Sequence, residues 1–168
     1  MDGYKCFNSN FTNNSNELIK PNTTYVLQDK LKIKKNGFHF CKRLEDTLRY
    51  FDGLKEDIII CKVKALGDII WYEDNYYDYY DIGCTNKIYI SNPLSREEIM
   101  SYADNLIDTR FIRFIQGYKL TKEEKEYFKN KYINNRLVIN YLKYYQEDDL
   151  EVFEREYNNR KSRLRILK

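Results

Sequence analysis

Two hydrophobic spacings divide this chain. Up to about residue 92, apolar residues recur at every second position; beyond residue 95 they recur at every third or fourth. The first spacing lines one face of a β-strand and the second one face of a helix. Tyr4–Phe7 is a short strand, Ser9–Asn16 an Asn/Ser/Thr-rich loop, and Thr24–Gln28 an extended segment. Lys30–Lys34 (KLKIK) sets Leu31 and Ile33 against lysines, which predicts another strand. Asn36-Gly37 is a tight-turn dipeptide, and the chain resumes as a strand over Gly37–Cys41. There Phe38 and Phe40 share one face and His39 takes the other. Leu44, Leu48 and Phe51 fall at i, i+4 and i+7, predicting a helix over Lys42–Phe51 that Gly53 stops. Asp57–Ala65 has the clearest alternation: Ile59, Cys61, Val63 and Ala65 against Ile60, Lys62 and Lys64. Gly67-Asp68 turns the chain into a short strand over Ile69–Tyr72. EDNYYDYYD (73–81) has no period and reads as an exposed loop. Lys87–Ser91 closes the strand region with Ile88 and Ile90 inward.

Asn92-Pro93 breaks this pattern. Ser95 followed by Glu98 is a capping box opening a helix with Ile99, Ala103 and Leu106 in register. A second helix lies within Asp108–Tyr118 and closes at Gly117. Thr121 with Glu124 opens a third. Val138, Tyr141, Leu142 and Tyr145 mark a fourth, and Leu150, Phe153 and Tyr157 a fifth. The expectation is an α+β protein. Residues 1–92 form a small mixed or antiparallel sheet with one helix; residues 93–168 form a helical extension packed on the sheet or on a second copy of the chain.

Composition narrows the function. The 168 residues fit one domain with an extension, and 42% apolar content suffices for a core. The 33% charged residues and a mean hydropathy of −0.77 predict a well-solvated surface. A net charge of +3 does not by itself imply nucleic acid. The 17 tyrosines, with abundant Asn, Lys and Ile, match the residue usage of AT-rich coding. No stretch approaches the ~20 apolar residues of a membrane helix, and no secretory leader opens the chain. Cys6, Cys41, Cys61 and Cys84 stand singly, without zinc-site spacing, and one histidine cannot complete a ligand set. The expectation is a cytoplasmic protein with reduced thiols, no metal, no cofactor and no membrane partner.

Three groups of residues carry candidate chemistry. His39, the only histidine, could act as an acid or base if its strand face lines a cleft; otherwise it is a half-buried ring bonded to a carbonyl. Cys41 lies on the same strand face. Asp68, Glu73 and Asp74 follow the main strand and read as solvated loop carboxylates. Tyr76, Tyr77, Tyr79 and Tyr80 offer amphipathic anchors for a protein partner. The C-terminal end is split in charge: residues 147–156 hold six acids and one arginine, whereas 158–168 hold five bases and no acid. Arg160, Lys161, Arg163 and Arg165 could therefore contact nucleic-acid phosphate, or cap their own helix.

YKCFN, NGFHFCKRLEDTLRYF, IIICKVKALGDI and CTNKIYI occur in the order used by an uncharacterised domain of phage, bacterial and large-DNA-virus proteins, which residues 3–92 resemble. A more distant resemblance is to ADP-ribosyltransferases of the poly(ADP-ribose) polymerase kind. Gly37-Phe38-His39-Phe40 with its helix to Tyr50 is similar to their middle element, and Cys61–Gly67 looks like the strand after it. That resemblance implies a nucleotide cleft, with Lys5 and His39 among its site residues. The chain departs from the family at Lys5 (histidine there), His39 (tyrosine there) and Lys87 (near the catalytic glutamate). The resemblance therefore implies the scaffold without its nicotinamide chemistry. The leading expectation is a non-catalytic viral protein that binds a protein partner or itself. An enzyme of ADP-ribosyltransferase type with His39 in the cleft is the second reading. A nucleic-acid-binding virion component using the basic tail is the third.

Overall fold

The structure is a computed structural model that describes residues 1–12, 17–31, 36–51, 53–71 and 82–146. The chain divides into two compact units, Met1–Lys119 and Leu120–Lys168. The first holds seven strands: β1 (Asp2–Asn8), β2 (Thr23–Val26), β3 (Phe38–Cys41), β4 (Ile58–Ala65), β5 (Ile69–Trp71), β6 (Ile82–Thr85) and β7 (Lys87–Pro93). They form one sheet in the order β2-β7-β4-β1-β3-β6-β5, with every pairing antiparallel. Helices α1 (Leu44–Thr47), α2 (Arg96–Asp104) and α3 (Asp108–Ile115) complete this unit. The second unit contains α4 (Lys122–Lys131) and α5 (Arg136–Gln146). The α+β class and the helical C-terminal region match the sequence reading.

Alternation decides which side chains meet. Phe7, Phe40, Cys61, Val63, Ala65, Ile88 and Ile90 form a buried cluster on one sheet face, with Phe38, Ile69 and Trp71 packed against it. Full burial of each large side chain contributes about 1.5–3 kcal/mol. The opposite face buries Cys6, Cys41 and Ile60, and there α1 packs on β1, β3 and α3. Four α3 residues, Phe111, Ile112, Phe114 and Ile115, are buried on one face, while Asp108 and Thr109 are exposed.

Several local expectations change. The helix predicted over Lys42–Phe51 is one α-turn, then a 3-10 turn at Leu48–Tyr50, and Phe51 is already extended. Arg43 at its N-cap supplies no side-chain cap, so nothing local sustains a longer helix. Strand β6 went unseen because IGCT has no alternation. β7 runs two residues past the predicted Ser91 and ends at Pro93, which lies opposite Cys61 past a register shift between Cys61 and Val63. α3 ends at Ile115, before Gly117, and Gly117 instead leaves room for Leu48, whose Cβ lies 2.6 Å from where a Cβ on Gly117 would sit. Both predicted capping boxes are present, at Ser95/Glu98 and Thr121/Glu124. Lys30 and Leu31 are in no strand, and the rest of KLKIK, the EDNYYDYYD segment and the predicted fifth helix lie outside the described residues.

Gly37 is the tight point of the sheet. Its φ is +94°, and a Cβ there would lie 2.6 Å from Cys84 Sγ and collide with Leu31. Gly37→Ala combines backbone strain with a clash, so it should destabilise the protein by about 1–3 kcal/mol, read as a lower urea midpoint with an unchanged m-value.

Candidate functional site

A buried polar cluster of the first unit lies where α1 meets α2 and α3. Glu45 and Asp46, consecutive on α1, are both buried. Glu45 uses both oxygens: the Tyr102 hydroxyl donates to Oε2 at 2.7 Å, and Arg110 Nε donates to Oε1. The Tyr102 oxygen accepts from Arg110 Nη2 at 2.9 Å and from the Leu44 backbone N–H at 3.2 Å. The hydroxyl thus has its full complement of one donated and two accepted bonds. Burial and the carboxylate of Glu45 push the Tyr102 phenol up, and the Glu45 hydrogen bond holds the Arg110 guanidinium even more firmly charged. Tyr4 of β1 packs edge-on against Tyr102 with ring centroids 5.5 Å apart, which fixes the cluster to the sheet.

Asp46 differs. Neither carboxylate oxygen accepts a hydrogen bond within the described structure, although the side chain is 0% exposed. Arg113, one helical turn past Arg110, places Nη1 3.7 Å from Oδ1, an ion pair without a hydrogen bond. Burial, then the charge of Glu45, push its carboxyl up to about 6, against the opposing pull of Arg113, Arg43 and Arg110. Glu45 is thus the carboxylate held by two hydrogen bonds, and Asp46 is the one that can take up a proton near neutrality. Both Asp46 oxygens are nevertheless sealed from solvent, so no substrate touches them in this arrangement.

The sequence-predicted pair lies elsewhere. Lys5 and His39 are adjacent, but through the backbone: Lys5 Nζ donates to the His39 carbonyl oxygen at 2.8 Å. Their side chains leave opposite faces of the sheet. Lys5 shares the Phe7 face, with Nζ 5.7 Å from that ring, and His39 shares a face with Cys84, directly opposite it on β6. Burial draws the Lys5 ammonium below its ordinary value while the nearby thiols of Cys41, Cys6 and Cys84 act the other way. Burial, and then the Lys5 charge, lower His39. Burial pushes the Cys6 and Cys61 thiols up to about 12, and Cys84 upward, so these sulfurs are held as neutral thiols. Asp68 is exposed and bonds reciprocally with Asn86, its N–H to Oδ1 at 2.9 Å, as a turn residue does. Glu73, Asp74, Tyr76, Tyr77, Tyr79, Tyr80, Arg160, Lys161, Arg163 and Arg165 lie outside the described residues. Among the described residues no group of His, Cys, Asp and Glu could hold a metal ion, and no helix is long and apolar enough to cross a membrane.

Residues 1–102 match the family model described as "Domain of unknown function (DUF7666)". The chain belongs to that family. The DUF7666 span therefore contains the sheet, α1 and most of α2, and its last matched residue is Tyr102. Arg110 and Arg113, which close the carboxylate cluster, come from outside the span. No curated protein and no solved structure matches the chain.

Sequence reasoning missed Glu45, Asp46, Tyr102, Arg110 and Arg113. A three-residue apolar stripe assigned Leu44, Leu48 and Phe51 inward and left the acids to solvent. The available signal was α3: an amphipathic helix whose two arginines, three apart, border its buried face and invite acidic partners.

The Asp46 shift predicts a pH dependence of stability. Its folded value near 6 exceeds the ordinary 3.8, so its contribution is fully present below pH 3.8 and is lost as pH rises through 6. Relative to Asp46→Asn, the wild type should gain about 1.5 kcal/mol between pH 7.5 and pH 5. Parallel urea titrations at the two pH values check this; equal pH responses of the two proteins would refute it.

Proposed function

We propose that this chain acts by binding a protein partner, in the first instance a second copy of itself, on a transferase-like scaffold without catalytic chemistry. The observation that carries this reading is the Lys5 Nζ–His39 oxygen hydrogen bond of 2.8 Å. A nucleotide enzyme built on these two residues needs amine and imidazole turned toward one ligand. Here the amine ties β1 to β3, and the imidazole leaves from the other face. That tie lies where β1 and β3 are registered only at Tyr4 opposite Cys41, so Lys5 supplies a bond that the backbone ladder does not. The Cys6, Cys61 and Cys84 thiols, raised by burial, offer no nucleophile in its place.

A thermal-shift series with nicotinamide and adenine nucleotides tests the non-catalytic part. A nucleotide at about 100 times its Kd adds about 2.7 kcal/mol of apparent stability to a protein that binds it. No shift is expected with any of them. A shift in the wild type that His39→Ala abolishes would make the chain a nucleotide-binding protein instead.

The contact surface is the exposed side of α5 with the turn before it. Leu137 of α5 is 55% exposed, half-buried Tyr141 lies one helical turn on, stacked on Tyr145 with centroids 5.8 Å apart, and Ile133, in the turn that precedes α5, is 69% exposed. The inward stripe, Val138 and Leu142, is buried separately. Ile133, Leu137 and Tyr141 carry no charge, so two copies can face each other without like-charge repulsion, as a two-fold interface requires. Sedimentation velocity should show association that grows with concentration in the wild type and disappears in Leu137→Glu. A wild type that stays monomeric at 200 μM, roughly the top of a working range, would exclude this face as a self-contact.

A further inference from the structure

Among the described residues of the first unit, the helices cover only half of the sheet face that carries α1. They reach Ile60 and Tyr4, where Tyr102 of α2 packs edge-on. Beyond that line the same face continues across β4, β7 and β2, where Lys62, Lys64 and Lys87 are exposed. Register places them together. Lys64 is opposite Tyr89, Tyr89 is opposite Thr24, and Lys87 is opposite Val26. The Leu66 N–H bonds the Lys87 carbonyl at 2.8 Å, which sets Leu66 on the other side of Lys87. Lys62 and Lys64 are two residues apart on one strand, about 6.7 Å, and β7 runs about 4.8 Å away. Val26 and Leu66 are 53% and 50% exposed and flank Lys87. Asp2 lies opposite Lys64 and offsets one of the three charges.

We infer that this bare half-face binds single-stranded nucleic acid, with Lys62, Lys64 and Lys87 on the phosphates and the Tyr89 ring beneath a base. The charge selects a polyanion. The aromatic ring among the lysines, with apolar Val26 and Leu66 beside it, selects one whose bases are unstacked and free to lie on a flat surface. A duplex hides its bases and offers such a face only its phosphates. The Tyr89 hydroxyl donates to Asn22 Oδ1 at 3.1 Å, which holds the ring in place from its rim. An exposed antiparallel sheet face is ordinarily polar throughout; here two large apolar residues stay exposed beside the cations.

The test is fluorescence anisotropy with a labelled twelve-nucleotide oligo(dT), using the full chain in a salt series from 50 to 200 mM. The triple variant Lys62→Gln/Lys64→Gln/Lys87→Gln should lose at least about tenfold in affinity at the lowest salt. Its log affinity–log salt slope should fall by about 2, since each single-strand phosphate contact contributes about 0.7. Tyr89→Leu should lose about fivefold or more with the slope unchanged, because a stacking contact releases no counterions. All four positions lie on the surface or near it, and an unchanged melting midpoint confirms that each variant is folded. Absence of saturable wild-type binding at 50 mM salt overturns the inference. So does a triple variant that binds like the wild type. A full chain with Arg160, Lys161, Arg163 and Arg165 changed to Gln should keep its binding; loss of all binding there assigns the contact to the tail and overturns it as well.

Discussion

The Glu45–Tyr102–Arg110 network is the constraint on which the first unit depends. It joins residues 57 and 65 positions apart in sequence and closes the helices over one face of the sheet. A buried carboxylate is costly unless paired and fully hydrogen-bonded, and removing one partner of such a pair typically costs about 3–5 kcal/mol. Here both oxygens of Glu45 and all three bonding positions of the Tyr102 hydroxyl are used. The network therefore works as a specificity device: α2 and α3 can dock in only one register without stranding a charge. The family match stops at Tyr102, whereas the guanidinium paired with Glu45 lies eight residues later.

Asp46 gives the contrast that isolates the cause. It shares the helix, the burial and the arginine-bearing neighbour of Glu45, yet Arg113 approaches only to 3.7 Å and no hydrogen bond forms. The two arginine side chains are equally exposed, at 32%, so the difference is the donor geometry: Arg110 is backed by Tyr102, which holds its fork against Glu45. Glu45 is thus held by two hydrogen bonds, whereas burial and the neighbouring Glu45 leave Asp46 close to the point at which it takes a proton.

What the sequence made legible follows from how local each signal is. Alternation exposed β4 and β7 because one face is buried continuously, and the Ser95 and Thr121 caps were readable because a capping box lies within four residues. β6 was invisible: Gly83 replaces a side chain so that Phe40 and Trp71 can meet over it, and a glycine erases the period. The short α1 was over-read because an apolar stripe reports burial, not how long the backbone stays helical. The carboxylate cluster was beyond reach for a different reason. Each acid looks like a solvent residue until the fold brings in an arginine from more than sixty positions away.

Strand parity separates two uses of lysine within one sheet. Lys5 takes the face of the apolar cluster, where its ammonium must find a backbone carbonyl and so holds β1 to β3. Lys62 and Lys64, on the neighbouring strand, take the other face and stay in water. A slip of one residue in β1 would turn Lys5 outward and drive Tyr4 and Cys6 into the cluster, breaking the tie and the Tyr4–Tyr102 contact together. The register that buries Phe7 is therefore the register that makes Lys5 structural. The same parity leaves the cations of β4 and β7 as the ones free to meet a partner.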